Sequence, residues 1–219
     1  PYWLAVNLNM CAVLTCADRV KAAEYAISEL GVTKIILDDG FQHRRMARDL
    51  DIVLVDSEKM FGNENLLPAG PLREGMEGFK RVHRLVIVSK NVDHSRAEKL
   101  ARIMEKKQGI STFVAKVEPD YAYNIITGEH LPRGTKVTAL SAIGQPEQFY
   151  QFLKDYDVVQ TVTFDDHHQY AADDISTIEG NIITTEKDAV KLALLQRPDI
   201  SALKLKTVLD IVKLCYNSE

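Results

Sequence analysis

The sequence predicts an α/β fold with two lobes, and three observations support this. Short, almost continuously apolar segments rich in valine, isoleucine and leucine alternate with segments of helical periodicity. The turn-rich segment 117–136 interrupts this alternation, and a second alternating set follows it. The chain has 219 residues, 46% of them hydrophobic, which is enough for a full core in one large or two small domains. Strands that are apolar on both faces are typical of a parallel sheet covered by helices.

The first lobe is predicted to begin with a strand and a helix that Gly31 ends, because glycine adopts the left-handed conformation of a helix C-terminus easily. Its predicted strands are 11–16, 34–39, 51–56 and 85–90, and its predicted helices are 17–31 and 94–109. In the second lobe, strands are predicted at 136–143, 158–164 and 181–185, and helices at 146–156, 171–180 and 186–192. The last ~15 residues are predicted as a closing strand or helix. The predicted domains are 1–118, a connecting ribbon at 119–136, and 137–219.

Composition and charge narrow the classes of function. The net charge of −4 provides no general attraction to nucleic acid, and we expect no nucleic-acid partner. Cys11, Cys16 and Cys215 form no zinc pattern, and we expect Cys11 and Cys16 to be buried in the apolar segment that contains them. No apolar run approaches the ~20 residues of a membrane helix. The chain starts at Pro1 without an initiator methionine, and we expect it to be a fragment or a processed product.

The first candidate site is the segment DDGFQHRR, residues 38–45. Asp38 and Asp39 follow a predicted strand, and ligands of open α/β sheets bind beyond the carboxyl ends of strands. An apolar strand that ends in an acid resembles a Walker B strand, whose acid holds magnesium beside a nucleotide phosphate. Gln42 and the neighbouring bases can contact phosphate or order water. The alternative is an ordinary helix cap or solvated loop.

The second candidate is the loop PAGPLREG, residues 68–75. Two prolines and two glycines predict a rigid loop that presents Arg73 and Glu74. Arginine suits bidentate contact with phosphate. An ordinary surface loop is the alternative.

Two further candidates lie in the second lobe. FDDHHQY places Asp166 and His167 at the end of a predicted strand, and an Asp–His pair can act as an oriented base. In TTEKDAVKL, Thr184 or Thr185 is predicted to cap a helix, and Lys187 in its first turn could contact an anionic substrate. A lone structural histidine and a well-capped helix are the alternatives for these two segments.

The sequence contains no G-x-x-x-x-G-K-[ST] phosphate loop. A nucleotide-dependent enzyme that uses Asp38 and Asp39 in a Walker-B-like strand would need such a loop. The chain by itself is therefore predicted to hold an incomplete active site.

In this order, DDGFQHRR, PAGPLRE, LSAIGQPEQF, FDDHHQY and ITTEKDAVKL resemble the tetraacyldisaccharide 4'-kinases, which belong to the lipid A pathway of Gram-negative bacteria. The resemblance covers essentially all 219 residues. It implies a P-loop-type α/β kinase with two lobes joined by a ribbon. The implied reaction uses Mg²⁺ and transfers the γ-phosphoryl group of ATP to the 4'-hydroxyl of a tetraacylated glucosamine disaccharide 1-phosphate.

The resemblance also implies roles for particular residues. Asp38 and Asp39 would be the Walker-B-like acids near magnesium, with Gln42 in the same loop. Arg19 and Arg73 would face phosphate groups, with Glu74 next to Arg73. Asp166 and His167 would lie at the catalytic centre, with His167 as the partner of the family's catalytic acid.

Pro1 resembles the proline of the family's Gly-Asp-Glu-Pro motif, which contains its catalytic acid. This implies that the chain lacks that acid, the phosphate loop and an amino-terminal membrane-associating helix, so we expect it to be soluble and inactive alone. The full-length enzyme would associate peripherally with the cytoplasmic face of the inner membrane.

Two other interpretations remain open. The acids and histidines could bind one or two divalent metals and hydrolyse a phosphoester, which would account for the missing phosphate loop. The chain could also be an inactive remnant or a binding module that does not bind nucleotides.

Overall fold

The computed structural model describes residues 2–90, 93–166 and 168–216, which fall into two units with their own cores. Unit 1 comprises Pro1–Ile87, Ala97–Val114 and Lys213–Glu219, and unit 2 comprises Val88–Arg96 and Ala115–Val212. Both units combine helices and strands, which confirms the predicted α/β class. Within the described ranges, no helix is long and apolar enough to cross a membrane.

Unit 1 combines helices with strands. It contains, wholly or in part, α1 (Tyr2–Asn7), α2 (Arg19–Leu30), β1 (Ile52–Asp56), a 3₁₀ helix (Met76–Arg81), β2 (Arg84–Ser89), α3 (Ser95–Gln108) and the start of β3 (Thr112–Asn124). The Asp18 carboxylate caps α2 by accepting hydrogen bonds from the backbone N–H groups of Val20 at 3.0 Å and Lys21 at 3.4 Å. Gly31, with φ of +62°, ends this helix as predicted.

The core of unit 1 joins β1 and β2 to one face of α3. Ala97, Ala101 and Met104 recur at helical spacing along α3 and are buried. They pack with Val55 of β1 and with Leu85 and Ile87 of β2. The strands predicted at 51–56 and 85–90 and the helix predicted at 94–109 are therefore confirmed.

The strands predicted at 11–16 and 34–39 are wrong, since neither segment forms a strand. A strand needs a neighbour for its backbone N–H and C=O groups, and no described residue pairs with these segments in a ladder. Their apolar side chains are exposed instead: Ile36 is 95% exposed and Met10, just before the first segment, is 98% exposed. Cys11 and Cys16 are also exposed, so the expectation that they are buried is wrong.

Unit 2 contains most of the sheet. Its remaining elements are β4 (Lys136–Ser141), α4 (Pro146–Gln151), β5 (Asp157–Thr163), α5 (Ala172–Ile175), β6 (Asn181–Thr185), α6 (Glu186–Leu192), a 3₁₀ helix (Ala193–Leu195), β7 (Ile200–Val208) and the start of α7 (Ile211–Cys215). The strand order here is β3-β7-β6-β4-β5, with β3 antiparallel to β7 and the other three pairs parallel.

Helices cover both faces of this sheet. On one face, Phe149, Phe152 and Leu153 of the α4 region pack with Val137, Ala139 and Ile183. On the other face, Leu140 and Ile182 pack with Ile175 of α5 and Leu192 of α6. Adjacent residues of β4 thus enter opposite cores, as the predicted doubly covered parallel sheet requires.

The segment predicted as a ribbon begins as strand, because β3 continues to Asn124. A tight turn follows, in which the Asn124 N–H donates to the Glu129 carbonyl oxygen at 2.8 Å. The division of the chain at residues 118 and 136 stays a prediction.

Candidate functional site

A cavity of about 310 Å³ in unit 1 gathers four of the predicted site residues. Asp39, Gln42, Arg73 and Glu74 belong to its polar lining, together with Asp56. The apolar lining comes from strand β1 and from aromatic and methionine side chains, namely Val53, Leu54, Val55, Met60, Phe61, Met76 and Phe79. The cavity therefore combines charged groups with an apolar wall, the combination that small-molecule sites use.

The loop that carries Arg73 and Glu74 is held by its own hydrogen bonds. The Leu67 N–H donates to the Leu72 carbonyl oxygen at 2.8 Å, and the Asn63 side-chain amide donates to the Ala69 carbonyl oxygen at 2.9 Å. At position 70 only glycine fits, since a Cβ atom would collide with the backbone carbonyl of Asn65. The predicted rigidity of the PAGPLREG loop has this packing as its physical basis.

Arg73 is paired with Asp39. Its Nη1 donates to Asp39 Oδ2 at 2.8 Å, although the two side chains are 59% and 70% exposed. Such an exposed ion pair contributes only about 0–1 kcal/mol to stability. A phosphate group can therefore replace the Asp39 carboxylate on the Arg73 guanidinium at small cost in free energy. Asp38 and Asp39 lie in a turn, with Asp39 at φ of +50°, and not at the end of a strand as predicted.

Glu74 accepts hydrogen bonds from three side chains. Arg81 Nη2 contacts both carboxylate oxygens at 2.8 Å, while Arg44 Nη2 and Gln42 Nε2 each donate at 3.2 Å. Burial by itself would raise the pKa of Glu74, but the hydrogen bonds from Arg81, Arg44 and Gln42 outweigh it and lower the pKa. Arg81 also lies 4.5 Å from the centroid of the Phe41 ring. Glu74 is therefore ionised, and its carboxylate holds the side chains of Arg81, Arg44 and Gln42 in place beside the cavity.

Two predicted residues of unit 1 do not line this cavity, Asp38 and Arg19. Arg19 is exposed at the start of α2, and its Nη1 donates to the Cys16 carbonyl oxygen. In the part of the chain that the structure describes, no three histidine, cysteine or acidic residues are grouped to hold a metal ion. Mg²⁺ usually takes one or two carboxylates together with phosphate and water oxygens, so the adjacent Asp38 and Asp39 fit that need.

A smaller cavity of about 190 Å³ lies in unit 2 and is lined by two other predicted residues, Asp166 and Lys187. Gly144 forms its rim, where a Cβ atom would lie 3.3 Å from Asp166 Oδ2. His167, the predicted partner of Asp166, lies outside the described residues.

The second histidine of the motif, His168, is held by its neighbours. Its ring stacks on Phe164 with centroids 4.5 Å apart, and its Nε2 lies 2.9 Å from Asp174 Oδ2. The pKa of Asp174 is lowered, first by the hydrogen bond from the Ala171 N–H and then by His168. These contacts fix the backbone on the carboxyl side of the motif.

Sequence reasoning missed three residues that shape the cavities: Asp56, Arg81 and Asp188. Asp56 ends β1 and lines the larger cavity, so the rule that selected Asp38 and Asp39 would have found it. Asp188 was interpreted only as part of a capped helix. Thr185 does cap α6, with its Oγ1 accepting from the Asp188 N–H at 3.1 Å. Arg44 belongs to the bases that the sequence placed beside Gln42, whereas no sequence pattern distinguished Arg81 from other surface bases.

The sheet is largely parallel and carries helices on both faces, and a cavity of unit 1 is lined by arginine and carboxylate groups. This fold is that of the α/β kinases of the P-loop class. Comparison with known proteins narrows this class. The chain belongs to the LpxK family, tetraacyldisaccharide-1-P 4'-kinase, whose family model matches residues 1–214. The resemblance found from the sequence motifs is thereby confirmed.

Individual relatives agree with the family model. The tetraacyldisaccharide 4'-kinase of Halothermothrix orenii is 35% identical over 88% of this chain and 56% of its own length. That of Syntrophus aciditrophicus is 32% identical over 90% of this chain and 59% of its own. The crystal structure of "apo" form LpxK from Aquifex aeolicus in complex with ATP has a TM-score of 0.64 and 29% identity, covering 90% of this chain and 59% of that one. The chain thus spans somewhat more than half the length of these relatives.

Proposed function

We propose that this chain is part of an ATP-dependent kinase that phosphorylates the 4'-hydroxyl of a tetraacyldisaccharide 1-phosphate in lipid A biosynthesis. Family membership provides the reaction. The observation that supports it in this molecule is the convergence of Asp39, Gln42, Arg73 and Glu74 on one cavity. These residues come from two segments about 30 positions apart, as the 34-residue separation of the Arg73–Asp39 pair shows.

Phosphoryl transfer depends on positioning and charge neutralisation more than on covalent chemistry. Arg73 would exchange the exposed Asp39 carboxylate for a phosphate oxygen, and its planar guanidinium can form two parallel hydrogen bonds there. Glu74 would keep Gln42 and Arg44 ordered beside it through the hydrogen bonds at 3.2 Å.

Asp38 and Asp39 would hold Mg²⁺, since both carboxylates are exposed and adjacent. The ion would neutralise charge on the transferred phosphoryl group. In unit 2, Asp166 and His167 would act on the acceptor hydroxyl, and Lys187 would contact an anionic group. Arg19, exposed at the start of α2, would face phosphate.

The acceptor is a lipid, so the whole enzyme would work at a membrane surface. We place that surface at the cytoplasmic face of the inner membrane, with peripheral association of the full-length enzyme. ATP and the tetraacylated disaccharide are the proposed small-molecule partners.

The test is a chimera in which this chain replaces the matching part of the Halothermothrix orenii 4'-kinase. Transfer of ³²P from γ-labelled ATP to tetraacyldisaccharide 1-phosphate is measured with Mg²⁺ present, for the chimera and for the isolated chain. We expect an active chimera and an inactive isolated chain, because the sequence has no phosphate loop.

Within the chimera, Arg73→Ala should lower kcat about 10²–10³-fold, which is the usual effect of removing one donor to developing charge. Arg102→Ala is the matched control, since Arg102 is an exposed arginine on α3. A folded chimera without phosphoryl transfer would contradict the proposed function. Release of inorganic phosphate from phosphoesters without ATP would instead indicate a hydrolase.

A further inference from the structure

Arg48 links the candidate loop DDGFQHRR to the start of strand β1. Its Nε donates to Asp51 Oδ1 at 2.7 Å, and its Nη1 donates to the His43 carbonyl oxygen, also at 2.7 Å. The Arg48 and Asp51 side chains are only 14% and 10% exposed. Water screens this ion pair only weakly, and removal of either partner would leave a buried charge without compensation.

The Asp51 end of this contact is fixed to the sheet. The Asp51 N–H donates to His83 Nδ1 at 2.9 Å, and the Asp51 carbonyl oxygen accepts from the N–H groups of His83 at 3.0 Å and Arg84 at 3.1 Å. Asp51 directly precedes β1, and Arg84 is the first residue of β2. The carboxylate that holds Arg48 is therefore attached to the starts of two neighbouring strands.

The His43 end of the contact lies in a segment that forms no strand. The His43 N–H donates to the Gly40 carbonyl oxygen at 3.0 Å, which fixes the shape of the turn but not its place on unit 1. Glu74 holds the exposed side chain of Gln42. Arg48 instead holds the backbone itself, at the residue that follows Gln42.

The chemistry of arginine suits this double contact. Nε and Nη1 are adjacent donors of one rigid, planar group, so they reach a carboxylate and a carbonyl oxygen at the same time. Lysine carries a single ammonium group on a flexible stem. At position 48 it would keep the positive charge beside Asp51 but lose the fixed direction towards the His43 carbonyl oxygen.

We propose that Arg48 is a positioning residue for the candidate site of unit 1. By holding the His43 carbonyl oxygen, it keeps Gln42 and Asp39 at the cavity that Arg73 also lines. The reaction that these side chains serve rests on the proposed function, whereas the restraint on the loop is a property of the chain itself. A displacement of about 1 Å can lower a reaction rate about 10²-fold, so such a restraint affects catalysis without a contact to the substrate.

The test begins with hydrogen exchange of the His43 amide in the ¹⁵N-labelled chain. Arg48→Lys should raise its exchange rate about tenfold or more, because a charge-assisted hydrogen bond that restrains the loop is lost. Arg197→Lys is the matched control, since Arg197 also combines a carboxylate, Asp199 at 2.6 Å, with backbone carbonyl oxygens, here in unit 2. The control should leave the exchange rate of the His43 amide unchanged.

A second variant covers the case in which Arg48→Lys does not fold. The double substitution of Arg48→Met with Asp51→Asn removes both charges, so no buried carboxylate is left without a cation. It should fold and show the same faster exchange of the His43 amide. In the chimera with the Halothermothrix orenii 4'-kinase, either variant should lower kcat about 10²-fold with little change in the KM for ATP, because the loop is misplaced and no binding group is removed.

A wild-type exchange rate of the His43 amide in both Arg48 variants would overturn the proposal. An equal rise in Arg197→Lys would overturn it too, since the effect would then be one of overall stability. Wild-type kcat in a chimera that carries either Arg48 variant would show that the restraint does not position the site, which also overturns the proposal. The exchange measurement involves no turnover, so it decides on the restraint even if the chimera transfers no phosphate and the proposed function fails.

Discussion

Replacing Glu74 by glutamine should destabilise unit 1 at neutral pH by an amount that the contacts allow us to estimate. Arg81 donates to both oxygens at 2.8 Å, and the two side chains are only 28% and 18% exposed. A hydrogen bond to a charged group contributes about 1.5–3 kcal/mol, and partial exposure favours the lower end. Arg44 is 67% exposed and adds about 0–1 kcal/mol. The expected loss is about 2 kcal/mol, because glutamine keeps the shape but not the charge.

Urea unfolding followed by circular dichroism measures this loss. With a slope of about 2 kcal/mol per molar urea, the midpoint of the variant should fall by about 1 M. Glu77→Gln is the matched control, since Glu77 is an exposed glutamate of the adjacent 3₁₀ helix. Identical midpoints for wild type and Glu74→Gln at pH 7 would contradict the role given to the Glu74 contacts.

The same pair of proteins should show a pH dependence. The pKa of Glu74 in the folded chain is lowered from its usual 4.5. Its contribution is therefore fully present above pH 4.5 and is lost as the pH falls through the folded pKa. The difference between wild type and Glu74→Gln should shrink below pH 4.5 and be unchanged between pH 6 and 8.

Two further predictions concern unit 2. Leu140 of β4 is fully buried against helices α5 and α6. Leu140→Ala should therefore lower the free energy of unfolding by about 2–5 kcal/mol. Leu194→Ala, at a side chain 80% exposed, should change it by about 0.5 kcal/mol or less, and equal effects in urea unfolding would contradict this core assignment. The pKa of Asp174, measured from its side-chain carboxyl ¹³C resonance, should lie below the usual value of 3.8, because the Ala171 N–H and His168 stabilise the charged form. A measured pKa of 3.8 or higher would show that these hydrogen bonds are absent in solution.

The sequence correctly predicted those strands that have a packing partner among the described residues. DIVLVD and LVIVSK became β1 and β2 because α3 covers them, and the residues of β4 alternate between two cores as expected. The segments CAVLTC and KIILDD have the same apolar character, but neither of them forms the predicted strand. Strand formation depends on a pairing partner, which composition cannot reveal.

The candidate site could be predicted residue by residue but not as an arrangement. Asp39 and Arg73 were each selected for phosphate or metal chemistry, yet their contact across 34 positions depends on the loop that Gly70 permits. Asp188 was harder to recognise. A first-turn acid after a threonine is explained by capping, and only the structure shows that Asp188 is buried and lines the cavity of unit 2.

The exposed apolar side chains of unit 1 have a practical consequence for anyone who handles the protein. Met10, Ile36 and Leu54 are 98%, 95% and 66% exposed, and each presents hydrocarbon surface to water. Salts such as ammonium sulfate strengthen contact between such surfaces. We therefore expect strong retention on a phenyl column and early salting-out, and substitution of Ile36 by lysine should raise the solubility limit without touching either core.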